Sequence, residues 1–108
     1  MSTSNDLTQR ILDFLYRNEA YAWRAQSAGL FDRRLGTYRS APKTGVSDIL
    51  GITKGRFFGV EVKIGKDKLR DEQIGFIKNI EHHGGKVFIA KELEPFQEEF
   101  SQWLDTIK

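Results

Sequence analysis

The 108-residue chain contains no cysteine. This absence excludes a disulfide framework, a thiol nucleophile and any zinc site built on thiolates. The chain also lacks a long apolar run, since no stretch approaches the roughly 20 residues that span a bilayer. Its first ten residues, MSTSNDLTQR, hold no apolar signal core. We therefore expect a cytoplasmic protein without a membrane segment.

The composition is that of a folded domain. Hydrophobic residues make up 39% of the chain and charged residues 30%, a balance that favours a globular protein over a disordered tail. A chain of this length can bury one core but not two. We expect residues 1–108 to form a single domain.

Charge is unevenly distributed along the chain. Residues 24–70 hold eleven Lys or Arg against four Asp or Glu, whereas residues 71–108 hold four against eight. A basic half attracts a polyanion, and nucleic acid is the commonest one. Charge alone is equally compatible with an ordinary solvated surface.

Hydrophobic periodicity predicts the first elements. A helix capped by Asn5 and running to about Asn18 is indicated by one apolar face, which comprises Leu7, Ile11, Phe14 and Leu15. Residues 20–25 alternate as a short strand does. Residues 27–45 have no clear period and are interpreted as a long loop or an irregular hairpin.

The remaining elements complete a mixed α/β pattern. They are two strands joined at Lys54-Gly55, a helix over 70–83 ended by Gly84-Gly85, a strand over 86–90 and a last helix opened by Pro95. The sequence thus predicts an α/β fold in the order α-β-β-β-α-β-α, with a small mixed sheet flanked by helices.

The predicted hairpin brings two acidic residues together. If Lys54-Gly55 is a two-residue turn, Thr53 pairs with Arg56 and Asp48 falls opposite Glu61. Directly opposed Cβ atoms lie roughly 4.5–5.5 Å apart, and two carboxylates that close need a proton or a cation between them. A slip of one residue would turn Asp48 to the other face.

Lys63 adds an ammonium group to this pair. It lies two residues beyond Glu61, so its side chain points to the same face of the strand. Carboxylate oxygens are suitable ligands for Mg²⁺ or Mn²⁺, and a lysine can orient or deprotonate a water. The alternative is a surface ion pair between Glu61 and Lys63, because E-x-K triplets are common; the facing Asp48 favours the metal site.

Gln73 is a polar residue in an apolar stripe. It shares a predicted helix face with Phe76, Ile77 and Ile80, so it faces the sheet and needs a hydrogen-bond partner. One interpretation has it reach the site to bind water, phosphate or a ligand carboxylate. The other has it bond to the backbone at the start of its own helix. Both remain open at this point.

Four motifs in order resemble those of a known family. They are Gly45-Val-Ser-Asp48-Ile-Leu-Gly, Gly-Val-Glu61-Val-Lys63, Leu69-x-x-x-Gln73-x-x-Phe76 and Gly84-Gly85-x-Val-x-x-Ala90. The set resembles the VRR-NUC domain of the PD-(D/E)XK nuclease superfamily, over about residues 7–90. The resemblance implies a restriction-endonuclease-like core that hydrolyses DNA phosphodiesters with Mg²⁺, for which Mn²⁺ would substitute. Free-standing members of this length resemble Holliday-junction resolvases and tend to be homodimers.

The resemblance assigns a role to each matching residue. Asp48 and Glu61 match the metal-binding acids of the family, and Lys63 matches its catalytic lysine. Gln73 matches the glutamine on the following helix and is included in the catalytic set. We also predict the backbone carbonyl of Val62 as a metal ligand.

Three positions depart from the family pattern. Ser47 stands where the superfamily has the proline of its motif, which is a common variant. The first helix often supplies a glutamate to the metal, and here the nearest candidate is Gln9, with Asp13 and Glu19 weaker. The residue three before Gln73 is Arg70 instead of a small capping residue, so that helix could start differently.

Basic residues around this site are candidates for phosphate contacts. We predict DNA binding by Arg24, Arg33, Arg34, Arg39, Lys43, Lys66 and Lys68. The predicted function is a metal-dependent endonuclease that acts on branched or structured DNA, such as Holliday junctions or flaps. The alternatives are a non-catalytic module that binds structured DNA with the same fold, and a phosphodiesterase that acts on small nucleotides.

Overall fold

The computed structural model describes residues 3–25, 30–32, 37–39 and 45–107. The elements are α1 (Ser4–Arg17), β1 (Tyr21–Arg24), β2 (Leu30–Asp32), β3 (Thr37–Arg39), β4 (Ile49–Thr53), β5 (Arg56–Val62), α2 (Asp71–His82), β6 (Lys86–Ala90) and α3 (Leu93–Thr106). Within these ranges, no helix has the length and apolar character that crossing a membrane requires.

Four strands form one mixed sheet in the order β1-β4-β5-β6. The β1–β4 and β4–β5 pairs are antiparallel, and β5 pairs with β6 in parallel. The parallel pair requires a crossover, which α2 provides. The predicted fold class, a small mixed sheet flanked by helices, is confirmed. Strands β2 and β3 form a separate antiparallel ribbon, so the hairpin interpretation holds for their residues.

Helix α1 begins slightly earlier than the sequence indicated. Its N-cap is Thr3, whose hydroxyl oxygen accepts a hydrogen bond of 3.1 Å from the backbone N–H of Asp6. The predicted cap, Asn5, lies within the first turn. The apolar face is as expected, because Leu7 and Ile11 are buried.

The β4–β5 hairpin has the predicted register. Thr53 pairs with Arg56, and Ile49 pairs with Val60. The two turn residues have positive φ angles, 50° at Lys54 and 74° at Gly55, as a two-residue type I′ hairpin turn requires. The turn therefore sets the register of the whole ribbon.

Helices cover both faces of the sheet. Helices α1 and α3 pack on the face that carries the core, whose fully buried members include Ile11, Leu15, Ile49, Phe58, Val60, Phe88, Phe96 and Phe100. Aromatic rings meet there edge to face, and the centroids of Phe58 and Phe100 lie 5.3 Å apart. Helix α2 packs on β6.

The segment before β4 lies directly against the start of α2. Gly45 has a φ of +75°, and a Cβ atom placed on it would lie 2.2 Å from the backbone oxygen of Glu72. Only glycine allows both this conformation and this approach. Gly45 thereby brings the chain leading to Asp48 against the first turn of α2.

Candidate active site

One cavity of about 350 Å³ lies at an end of the sheet, where the N-terminal ends of α1 and α2 meet the end of β5. Its lining consists of Ser4, Asn5, Thr8, Arg24, Ala25, Asp48, Val62, Lys63, Asp67, Arg70 and Gln73. Helix N-termini carry partial positive charge. The cavity is therefore suited to anionic groups as well as to cations held by its carboxylates.

Asp48 is held between two neighbouring strands. Its Oδ2 accepts a hydrogen bond of 2.7 Å from the backbone N–H of Val62. Its backbone carbonyl accepts one of 2.9 Å from the N–H of Ala25, just after β1. A carboxylate has about four lone-pair sites, so the bond to Oδ2 leaves the group able to bind a cation in the cavity.

Glu61 is fully buried, with 0% of its surface exposed. In the part of the chain that the structure describes, neither carboxylate oxygen has a hydrogen-bond partner. Burial and, secondarily, the negative charge of Asp48 raise the pKa of Glu61 to about 7, although the positive charge of Lys63, the nearby backbone N–H of Asp48 and the positive charge of Arg70 lower it. A buried carboxylate without partners calls for a proton or a cation.

The oxygen atoms near Glu61 fit a hard divalent cation. Glu61 does not itself line the cavity, but it adjoins Val62, which does, and it comes directly after Val60, the residue paired with Ile49 next to Asp48. The described residues contain no group of three or more His, Cys, Asp or Glu side chains that could hold a metal. Asp48, Glu61 and the Val62 carbonyl would thus leave coordination positions for water, which suits Mg²⁺.

Gln73 combines features of both interpretations of its role. It is 4% exposed and lines the cavity. Its Oε1 accepts a hydrogen bond of 2.9 Å from the backbone N–H of Arg70, so the side chain caps the start of α2. Arg70 is the residue before α2, and it lines the cavity as well.

Helix α1 reaches the cavity through residues other than Gln9. Gln9 is exposed, and its Nε2 donates a hydrogen bond of 3.1 Å to Oδ1 of Asp13. The helix instead contributes Ser4, Asn5 and Thr8. A step of about 100° per residue places Gln9 beside Thr8 but turned toward solvent.

Thr8 could have been found from the sequence. It is buried, and its hydroxyl donates a hydrogen bond of 2.6 Å to the backbone oxygen of Ser4. It lies three and seven residues before the buried Ile11 and Leu15, on the same helix face. Like Gln73, it is a polar residue in an apolar stripe, and both such residues lie at the cavity.

The predicted DNA-binding residues fall into three groups. Arg24 lines the cavity, and its Nη2 donates a hydrogen bond of 3.2 Å to the backbone oxygen of Asn5. Lys66 and Lys68 are exposed in the loop before α2, on either side of Asp67, and do not line the cavity. The structure describes only the backbone of Arg39, in β3, and the others lie outside the described residues: Arg33, Arg34 and Lys43.

Comparisons with known proteins agree with this architecture. The family model described as the VRR-NUC domain matches residues 4–92. The fold is similar to that of Hjc, a Holliday junction resolvase from the archaeal hyperthermophile Archaeoglobus fulgidus, with a TM-score of 0.57 and 18% identity over 83% of this chain and 69% of that chain. A search of curated proteins finds no match. The family match spans most of the chain, and the protein belongs to the VRR-NUC family.

Proposed function

We propose that this protein is a metal-dependent endonuclease that cleaves branched or otherwise structured DNA. The observation that carries the proposal is the buried carboxylate of Glu61, which has no hydrogen-bond partner among the described residues and lies close enough to Asp48 for the charge of Asp48 to raise its pKa. A cation held between these groups would satisfy both of them.

Residues in and directly beside the cavity divide the chemistry among them. Mg²⁺ or Mn²⁺ held by Asp48, Glu61 and the Val62 carbonyl would supply Lewis-acid polarisation of the scissile phosphate. Lys63 orients the attacking water and stabilises the negative charge that develops on the phosphate. Arg24 is placed to bind phosphate oxygens by charge-assisted hydrogen bonds.

The substrate class follows from charge and family. The eleven basic residues in 24–70 favour a polyanion, and the similar fold of Hjc belongs to a protein that resolves Holliday junctions. Two symmetric cuts in a junction need two active sites, and one chain offers one such cavity in its described part. We propose a homodimer of two such domains with twofold symmetry.

A non-catalytic module that binds structured DNA is the second candidate. Such a module would need the basic surface but not a buried Glu61 beside Lys63. The two candidates therefore differ in whether DNA is cut, and not in whether it is bound.

The deciding experiment measures cleavage of four labelled DNAs: a four-way junction, a flap, a linear duplex and a single strand. Each is incubated with the full chain and with Mg²⁺, Mn²⁺ or EDTA. We expect cleavage of the branched DNAs that requires the divalent ion. Lys63→Ala should abolish cleavage and retain binding, whereas Lys78→Ala, which removes an exposed lysine from α2, should change neither. Cleavage by Lys63→Ala at the normal rate would refute the assignment.

A further inference from the structure

An aromatic surface is exposed on β1 and β4. Tyr21 is 73% exposed, and Trp23 and Ile52 are each 43% exposed. Ala22 packs against the core, so its neighbours Tyr21 and Trp23 point to the opposite face of the sheet. Helix α2 packs on β6 at the other edge.

This surface continues directly into the candidate active site. Trp23 pairs with Leu50 in the β1–β4 register, and Asp48 lies two residues before Leu50, on the same face. Diagonal neighbours in an antiparallel pair lie roughly 7–8 Å apart. Trp23 and Asp48 are therefore diagonal neighbours on one face of the sheet.

The two aromatic rings form a pair. Their centroids lie 5.5 Å apart, and the ring planes are inclined by 52°. Exposed aromatic rings bind nucleic acid bases by stacking, because every base has a flat π face. A base in a paired duplex is covered on both faces, so such a surface favours an unpaired base.

The charges around the rings favour nucleic acid over a second copy of the chain. Lys54 is exposed in the β4–β5 turn and Arg24 lines the neighbouring cavity, so a basic side chain lies at each end of this surface, and residues 20–25 and 49–60 contain no Asp or Glu. A twofold contact between copies would bring these like charges close to one another. The phosphates of a DNA strand would instead be complementary to them.

We propose that Tyr21 and Trp23 form a stacking platform for an unpaired base beside the scissile phosphate. The inference rests on the proposed function and makes its substrate more specific: DNA that carries unpaired nucleotides at the point of cleavage. Such nucleotides occur at forks, flaps and open branch points, but not in a blunt duplex.

Binding measured in EDTA tests the platform without cleavage. Fluorescence anisotropy would compare a forked DNA that has unpaired nucleotides at its branch with a blunt duplex of equal length. Trp23→Ala should weaken binding of the fork about tenfold and leave the blunt duplex unaffected. The matched control is Tyr16→Ala, since Tyr16 is 83% exposed on α1 and its loss should change neither affinity.

Tryptophan fluorescence gives a second test that keeps the platform intact. The chain has two tryptophans, so Trp103→Phe leaves Trp23 as the single reporter. We expect the forked DNA to quench its emission and the blunt duplex to leave it unchanged. If Trp23→Ala fails to fold, this quenching measurement alone shows whether Trp23 contacts the unpaired nucleotides.

Three results would overturn the platform. The wild type could fail to bind the fork, Trp23→Ala could lose fork and duplex affinity equally, or the forked DNA could leave the Trp23 emission of Trp103→Phe unquenched. Conversion of a dimer into monomers by Trp23→Ala, with equal loss for both DNAs, would show a contact between copies instead. Cleavage with Mg²⁺ is scored separately. If the protein does not cleave DNA but its fork binding depends on Trp23, the nuclease is refuted and the platform is not. If it cleaves branched DNA but its fork binding does not depend on Trp23, only the platform is refuted.

Discussion

The backbone N–H of Val62 donates a hydrogen bond of 2.7 Å to Oδ2 of Asp48. This bond joins the chain entering β4 to the end of β5, fourteen residues apart in sequence. It also holds the side chain of one candidate metal ligand against the residue whose carbonyl is another. The site is thus organised by the backbone before any ligand binds.

Replacing Asp48 separates this structural role from the chemical one. Asp48→Asn keeps a carbonyl oxygen that can accept from Val62, so we expect the fold to survive and Mg²⁺-dependent cleavage to fall at least 100-fold. Asp48→Ala should also lose about 1–3 kcal/mol of unfolding free energy, because the Val62 N–H is left unpaired. Cleavage assays and urea denaturation measure the two effects. Equal stability of the two variants would contradict the structural role of the bond.

The raised pKa of Glu61 predicts a pH-dependent stability of the metal-free protein. Its pKa is about 7 in the folded protein against an ordinary 4.5, so between these values the folded state holds a proton that the unfolded state has lost. The free energy of unfolding should therefore fall as pH rises from about 5 to 8, by on the order of 3 kcal/mol. Urea denaturation in EDTA at several pH values measures it.

Glu61→Gln tests whether the titration of Glu61 causes this fall in stability. An amide does not titrate, so the decline between pH 5 and 8 should disappear, and the variant should be more stable than the wild type at pH 8 without metal. Mg²⁺ should stabilise the wild type there and not the variant. Glu98→Gln, at an exposed position on α3, should keep the wild-type profile. If the free energy of unfolding of Glu61→Gln fell by the same amount between pH 5 and 8, another titrating group would be its cause.

Two substitutions of Gln73 distinguish a capping role from a role in the cavity. Gln73→Ala removes the acceptor for the Arg70 N–H and should cost about 1 kcal/mol of stability. Gln73→Glu keeps an acceptor, so thermal denaturation should show stability near that of the wild type. We expect its cleavage rate to fall more than tenfold, since the amide donors are lost and a negative charge faces the phosphate. Unchanged cleavage by Gln73→Glu would leave capping as the only role.

Gly45 and Gly55 form a matched pair for testing the close approach of Gly45 to the backbone of Glu72 in α2. Their φ angles are +75° and +74°, but a Cβ on Gly55 meets nothing within 4 Å. Alanine at Gly55 should cost about 1–2 kcal/mol for the left-handed conformation alone. Alanine at Gly45 also collides with Glu72, and we expect a loss of about 3 kcal/mol or more. Equal losses in urea denaturation would show that the contact with α2 is unimportant.

Local features of the sequence were sufficient for the hairpin and its acidic pair. The Lys54-Gly55 turn sets which residues face each other, and strand alternation sets the face on which each side chain lies. For that reason the register could be predicted without coordinates, and it is confirmed from Thr53 with Arg56 to Ile49 with Val60. The strand over 86–90 was likewise predicted from a short apolar run that follows Gly84-Gly85.

Residues from the helices required the packed structure. Periodicity marks Thr8 as a polar residue on the buried face of α1, but only the packed structure shows that this part of the face meets the end of β5. Gln9, the expected contributor, therefore proved to lie outside the cavity that Thr8 lines. The capping bond of Gln73 was likewise one of two open alternatives until the start of α2 was placed.

The hydrophobic pattern and the turn chemistry of the chain determined the fold class and the hairpin register, since these depend on neighbours a few residues apart. The cavity depends on segments around residues 4–8, 24–25, 48, 62–63 and 67–73, and their meeting depends on how helices pack across both faces of the sheet. That packing results from many weak contacts distributed over the whole core. No local motif encodes it, and it alone places Arg24 and Arg70 beside the carboxylate of Asp48 and leaves Trp23 exposed next to it.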